Sequence, residues 1–477
     1  MRTYRPLTIA TTLSLAAAAL CAGYLGSLVE ADGGARGRAD ARGNEGGVAT
    51  VGPDVIVGAL TDVAKYGTVG GISAYAIGTT SCNIGDALLS WIDSGANDSM
   101  HPVIAQNLYR LKDGRFEQVG QSWPKHGWCA VDGNLCGTCQ SDGSCEFLGI
   151  GCSDPYSASL NGVQSDLGPR SQVNPATGAF PFPFTAPTPQ ATIGRRLQVQ
   201  IDDLTPASNP GALYFAEGQY IQPEDAAAGN DDNNASYRRA TVGALSGGAY
   251  VISLTGATAQ QLPAIYAWKN NGLGVGVPDP NVTVEVVDVP GDGRFLVASK
   301  VTDLGDGQFH YEYAIQNLNS ARAGQAFSVP IGAGTTITKQ GFHASFSHSG
   351  EPYSNAAWSM TAADGVAAWA TQTYAESANA NALRWGTLDN FRFDATTPPT
   401  TGTATLTLFA PGEPTAMTVN VPVPSAAQPN ADLSGDGVVD AVDLGLVLGA
   451  WGTPDADLDG DGTTDGADLA IVLAAWH

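Results

Sequence analysis

Asp432, Ser434, Asp436, Asp440 and Asp443 put oxygen side chains at positions 1, 3, 5, 9 and 12 of a twelve-residue loop, with Gly437 at position 6. The spacing recurs 25 residues later in Asp457, Asp459, Asp461, Asp465 and Asp468, with Gly462 at position 6. Val438 and Thr463 occupy position 7, where an EF-hand-type loop offers a backbone carbonyl to its ion. Hard oxygen ligands in this order suit Ca²⁺, and the glycine permits the sharp turn that gathers them. Position 12 is aspartate rather than the usual glutamate, which shortens that ligand's reach without removing it. The spacing therefore predicts two bound Ca²⁺ ions, one in each loop.

Each loop runs into an apolar segment. Leu444, Val447, Leu448 and Trp451 fall at i, i+3, i+4 and i+7, as do Leu469, Val472, Leu473 and Trp476. That is the stripe of an amphipathic helix. Pro422, Pro424, Pro429 and Pro454 interrupt both approaches, so no helix is expected before either loop. Two half EF-hands of loop then helix, in tandem, resemble a type I dockerin. The Ala-Trp-Gly and Ala-Trp-His endings are similar to the dockerin variant of secreted planctomycete proteins. The resemblance covers residues 432–477, about a tenth of the chain. It implies a calcium-dependent module that docks to a cohesin-like or other cell-surface protein through either loop-helix unit, in a polysaccharide-utilisation setting. Where dockerins commonly carry Ser or Thr for recognition, this chain has Ala441-Val442 and Gly466-Ala467, so a partner other than a cellulosome scaffold is expected. Trp451 and Trp476 are expected to pack between the two helices, because so small a module needs its large side chains inside.

Residues 430–477 hold ten Asp and no Lys, Arg or Glu, and so carry −10 of the chain's −24. That density is unfavourable in two small loops without counter-ions, and folding of the segment should follow calcium. The acidic balance of the whole chain excludes nucleic acid and anionic membrane surfaces as partners.

Arg2 and Arg5 precede an uncharged apolar stretch from Leu7 to Val29, with a small-residue cleavage site at Val29-Glu30-Ala31. Residues 1–31 read as a secretory signal; left uncleaved, the stretch is long enough to serve as a membrane anchor. Either way the expected location is outside the cell or on its surface. Residues 32–50 are rich in Gly, Arg and Asp and read as a disordered linker. Setting aside Cys21 in the signal leaves Cys82, Cys129, Cys136, Cys139, Cys145 and Cys152. An even number after export predicts three disulfides, with fifteen connectivities open. Cys136-Gly-Thr-Cys139 leaves zinc or redox chemistry as the alternative.

The remaining chain is rich in Gly (59) and Pro (28) with 14% charged residues, which suits strands and turns. Short alternating runs include Val55–Val57, Gly71–Ile77, Asn107–Leu111, Leu197–Ile201, Leu213–Glu217 and Tyr250–Leu254. Asp113-Gly114 marks a hairpin turn. Beyond Val282 the alternation sharpens in Thr283–Val287, Phe295–Val301 and Phe309–Ile315, then in Ala326–Pro330, Leu388–Phe393 and Ala404–Leu408. The pattern predicts a mainly β body of antiparallel sandwich type, in one or two domains, with a small α-helical calcium-binding module at the C-terminus. A disulfide-containing β-rich domain is expected over 51–205, a β-sandwich domain over 206–421, a linker over 422–431 and the tandem repeats over 432–477. No helix longer than ten residues is expected between positions 50 and 425. The proline-rich stretch from Phe180 is expected to drape over a sheet.

No strong catalytic motif occurs in the body. Ser246, in Ala-Leu-Ser-Gly-Gly, lacks the glycine that a hydrolase elbow needs two residues earlier. His101 and His126 sit on loops that could converge, whereas His343 and His348 would point to opposite faces of one strand. Glycoside hydrolysis requires two carboxylates across a cleft. Glu217 shares a strand face with Leu213, Phe215, Gln219 and Ile221, and Glu312 lies between Tyr311 and Tyr313. Asp202, Asp203, Glu224 and Asp225 offer second carboxylates, but sequence pairs none of them. The expected function is a secreted or cell-surface β-rich protein that docks through its calcium module. The alternative is a dockerin-borne glycoside hydrolase or lyase with its active site in the body.

Overall fold

The computed structural model describes residues 51–165, 168–184, 188–425, 430–459 and 462–476. The signal and linker readings over 1–50, part of the linker reading over 422–431, and Asp461, expected as a ligand, lie outside the described residues. The fold is mainly β with antiparallel sheets. Its strands run β1 (Val55–Val69), β2 (Ile72–Asn83), β3 (Leu89–Ser90), β4 (Val103–Lys112), β5 (Arg115–Gln121) and β6 (Lys125–His126). They continue as β7 (Phe147–Leu148), β8 (Ser153–Tyr156), β9 (Leu197–Gln200), β10 (Leu213–Ile221), β11 (Ala235–Ser246) and β12 (Ala249–Ala259). Short helices interrupt them at α1 (Ala158–Val163), α2 (Ile201–Leu204), α3 (Pro223–Ala228) and α4 (Tyr266–Asn271).

Ten of these strands form one sheet in the order β1-β2-β9-β5-β4-β10-β11-β12, with β6 paired to β4 and β8 to β2. The sheet curls on itself. Strand β1, at one end of the order, meets the other end through Ser236 Oγ donating to Val57 O (2.7 Å), Gln260 Nε2 to Gly58 O (2.7 Å) and Leu60 N to Thr258 Oγ1 (3.0 Å). Inside the curl lie Val57, Leu60, Tyr75, Ile104, Leu108 and Tyr220. The turn between β4 and β5 is the Asp113-Gly114 pair, both residues at positive φ (51° and 76°), the conformation a two-residue hairpin demands.

The second half contains β13 (Thr283–Asp288), β14 (Arg294–Gly305), β15 (Gln308–Asn317), β16 (Gly324–Pro330) and β17 (Ile337–Ala344). Then follow β18 (Ser359–Ala363), β19 (Val366–Ala370), β20 (Thr387–Ala395), β21 (Pro399–Leu408) and β22 (Ala416–Pro424). Two five-stranded sheets result, β13-β14-β15-β20-β17 and β18-β19-β16-β21-β22. Their facing sides bury Phe327, Trp369, Phe391, Phe393, Leu406 and Val421, which makes this half a sandwich. The outer face of the first of them is buried as well. Its Leu296, Ala298, Ala314 and Leu388 pack with Trp268 of α4 against Tyr109, Phe116 and Phe215 of the curled sheet.

The body is thus one curled sheet and one sandwich. The curled sheet extends to Ala259, so a division at 205 falls inside it. The Pro206–Pro210 turn looks like a linker, yet Arg110 of β4 holds it through Asp203 Oδ1 and Asn209 Oδ1, both at 2.8 Å. The proline-rich stretch lies as expected, with Phe180 and Phe184 buried over Val103, Ala105 and Ile221. Two of the three expected disulfides are formed, Cys82–Cys136 and Cys139–Cys152. The third is not closed: Cys129 and Cys145 are exposed thiols, yet their side chains lie within hydrogen-bond reach of each other, as that pairing would require. They lie on neighbouring backbone, where Ala130 N donates to Cys145 O (2.8 Å). With Cys136 and Cys139 both in disulfides, zinc ligation or free-dithiol chemistry at that pair is excluded in this state.

At the C-terminus stand two nine-residue helices, α5 (Ala441–Gly449) and α6 (Gly466–Ala474). Val447 and Val472 are fully buried against Ala431 and Ala456, with Leu444 and Leu469 at the edge. The expected stripe is otherwise not buried: Leu448 and Leu473 face solvent, and Trp451 and Trp476 are 51% and 41% exposed. For the tryptophans the reason is length: each lies beyond the end of its helix, so the i+7 position never comes round to the contact. Leu448 and Leu473 lie within the helices but off the face that Val447 and Val472 bury.

Candidate functional site

The two C-terminal loops share one internal geometry, built by aspartates on backbone N–H groups. In the first, the Asp432 carboxylate accepts from Gly435 N (2.7 Å), Gly437 N (2.9 Å) and Asp436 N (3.2 Å). Asp443 closes the loop from the far end, accepting from Ser434 N (2.8 Å) and Asp440 N (2.9 Å). In the second, Asp457 accepts from Gly462 N (2.7 Å), while Asp468 accepts from Leu458 N (2.6 Å), Asp459 N (3.1 Å) and Asp465 N (2.7 Å). Asp440 and Asp465 then cap the helices, each in a reciprocal box with the aspartate three residues on. Position 12 of each loop is therefore also N3 of its helix, so closing the loop and starting the helix are one event. The turn residues Gly437 and Gly462 take φ of 91° and 96°, where a side chain would be strained.

The donor set fits a hard cation. Asp457, Asp459 and Asp468 each bring one carboxylate oxygen within 4.8 Å of the others. Backbone N–H bonds hold the carboxyls of Asp432, Asp443 and Asp468 below the usual carboxylate range, so all three stay charged at neutral pH. Asp436 and Ser434 are exposed at the loop surface, as are Asp459 and Thr463. The two units are joined by Gly452 N donating to Thr464 O (2.8 Å) and Thr464 N to Thr453 O (2.6 Å).

In the body, the sequence-selected acids are mostly structural. Glu217 is fully buried and accepts from Asn107 Nδ2 (2.8 Å), Tyr109 OH (2.8 Å), Ala264 N (2.6 Å) and Gln316 Nε2 (3.1 Å). It ties the curled sheet to the approach of α4 and to the sandwich. Glu312 is buried between Arg115 (3.0 Å) and His310 (3.3 Å), while Tyr311 and Tyr313 turn into the sandwich core. Glu224 accepts from Ser90 N and Oγ (both 2.8 Å). Burial pushes the Asp225 carboxyl far up, and it accepts from Val55 N (2.9 Å) and Asn234 Nδ2 (2.7 Å). Asp202 is exposed, and Asp203 is paired to Arg110.

Of the two histidine pairs, the first meets as expected and the second does not share a strand. His101 and His126 do converge, with ring centroids 5.1 Å apart among Phe180, Phe182 and Trp128. Each directs one ring nitrogen at a backbone carbonyl, Ile92 O and Ser165 O. Burial lowers both, His126 to about 3, so both are neutral. His343 and His348 do not share a strand, since β17 ends at Ala344. Asp389 was not singled out from sequence, although it shares a strand face with the core residues Phe391 and Phe393. Burial pushes its carboxyl far up, and it faces a narrow recess with Arg170, Glu351 and Trp385.

No protein-family model matches the chain, and no curated protein is similar to it.

Proposed function

We propose that this chain is a secreted or cell-surface protein whose β body is held to a protein partner by a calcium-loaded, dockerin-like C-terminal module. Asp432, Ser434, Asp436, the Val438 carbonyl, Asp440 and Asp443 would hold one ion. Asp457, Asp459, Asp461, the Thr463 carbonyl, Asp465 and Asp468 would hold the other. Each ion supplies positive charge where five acidic or hydroxyl side chains converge, which relieves their repulsion and fixes the loop against its helix.

One observation carries the reading: the same loop-helix unit is built twice, with matching bonds, and its largest apolar side chains are left outside. Val442, Leu446, Leu448 and Trp451 of the first unit and Leu473 and Trp476 of the second are all exposed. An apolar surface on so small and acidic a segment suits a protein contact. The partner class is a cohesin-like or other cell-surface protein.

The test is capture by the immobilised full chain from the producing cell's own secreted and surface proteins, in calcium and in EGTA. A partner retained only in calcium, and lost on Trp451→Ala/Trp476→Ala, is expected. Capture that ignores both calcium and the tryptophans would overturn the reading.

A further inference from the structure

Between the curled sheet and the end of β17 with the loop that follows it lies a cleft of about 330 Å³, at the small end of the range for ligand sites. One wall carries Gln118, Gln198, Gln200 and Asp203; the other carries His343, Ser345, Ser347, Asn355 and Asn381, with Phe346 at the rim. The lining interleaves amide and hydroxyl groups with the apolar side chains of Ile72, Val119, Phe342, Ala344 and Ala357, and it has one carboxylate and no Lys or Arg. Such a surface offers nothing to balance an anion, and a wholly apolar ligand would leave its amides and hydroxyls unpaired.

Phe346 is 62% exposed, and no other phenylalanine among the described residues is exposed. Its loop is pinned, so the ring is presented. Gln121 Nε2 donates to Phe346 O (2.9 Å), Ser347 N to Asn355 Oδ1 (2.7 Å) and Ser349 N to Gln198 Oε1 (3.1 Å). Asn355 keeps its amide N–H₂ for solvent or ligand. Deeper in, His343 has a buried Nδ1 with no hydrogen-bond partner. Burial keeps that imidazole neutral, so it can give or take a hydrogen bond without carrying charge.

We propose that this cleft binds a neutral carbohydrate chain. An uncharged ligand rich in hydroxyls but possessing an apolar C–H face matches both halves of the site. The Phe346 ring is the platform for that face, and Asp203, Gln200 and Asn355 are the hydroxyl partners. The assignment stands on residues remote in sequence from the calcium loops and does not depend on docking.

The experiment is calorimetry on the full chain with short soluble oligosaccharides of glucose, xylose, mannose or galactose, and with uronate-bearing equivalents, all in EGTA. At least one neutral oligosaccharide should bind. Phe346→Ala should weaken it about tenfold at unchanged melting temperature, and Gln200→Ala should weaken it severalfold. The proposal is overturned if no neutral oligosaccharide binds, if uronates bind better, or if neither variant changes affinity. Sugar binding that appears only with calcium would place the site elsewhere and also overturn it, whereas loss of protein capture in EGTA would leave it intact.

Discussion

Glu217→Gln is the sharpest structural perturbation the body offers. Two carboxylate oxygens there serve four donors: Asn107 and Tyr109 on one, Ala264 N and Gln316 on the other. An amide has one accepting oxygen, so in either orientation two donors face an N–H₂ group. Losing two charge-assisted bonds costs roughly 1.5–3 kcal/mol each. No longer burying a charge returns part of that, leaving a net loss of about 3 kcal/mol. For a body of this size the melting temperature should fall by about 4 °C, read by calorimetry beside a urea midpoint at neutral pH. Glu217→Leu, which orphans all four donors, should cost more. An unchanged midpoint in Glu217→Gln would refute the tie, and would return this carboxylate to the list of functional acids.

The remaining predictions concern staples, titration and surface. Chain-entropy arguments give about 4 kcal/mol for opening Cys82–Cys136 and about 3 for Cys139–Cys152, since they close separations of 54 and 13 residues; serine double variants in denaturant should keep that order. Burial holds His126 at about 3 against an ordinary 6.5. The unfolded chain therefore binds that proton first, and the stability it contributes is complete above pH 6.5 and lost as pH falls toward 3. His126→Gln should accordingly show a shallower fall in urea midpoint between pH 7 and pH 4 than the parent, and an equal slope would contradict the neutral, buried assignment. Trp451→Ala and Trp476→Ala should each change stability by less than about 0.5 kcal/mol in the calcium-loaded chain, whereas packed tryptophans would lose about 3–5.

Local spacing made the C-terminal loops and the helices they start legible, because the turn glycine and the capping aspartates are fixed by sequence distance alone. The same is true of the Asp113-Gly114 hairpin and of β13 to β15, where period-two alternation marks strands buried on one or both faces. Strand β11 was not visible. Its Arg238 and Arg239 break the alternation, and they are tolerated because Arg238 Nε reaches across to Gly256 O (2.8 Å). Sheet order was beyond reach for a different reason. Strand β9 sits between β2 and β5, a placement set by tertiary contacts and not by any local preference. The cleft draws on β2, β5, β9, α2, β17 and two loops of the sandwich, so no window of sequence contains it. Asp389 carried a readable signal, since a carboxyl on the Phe391 and Phe393 face is bound for a core. The tryptophans misled because periodicity assumes a helix long enough to complete the stripe.

The central claim is that the C-terminal loops hold calcium. Titrating calcium into the metal-stripped full chain by calorimetry tests it directly. Two ions per chain are predicted, with one site lost in Asp443→Ala, the other lost in Asp468→Ala, and neither regained by raising magnesium. Absence of calcium uptake, or uptake unchanged in both variants, would contradict it.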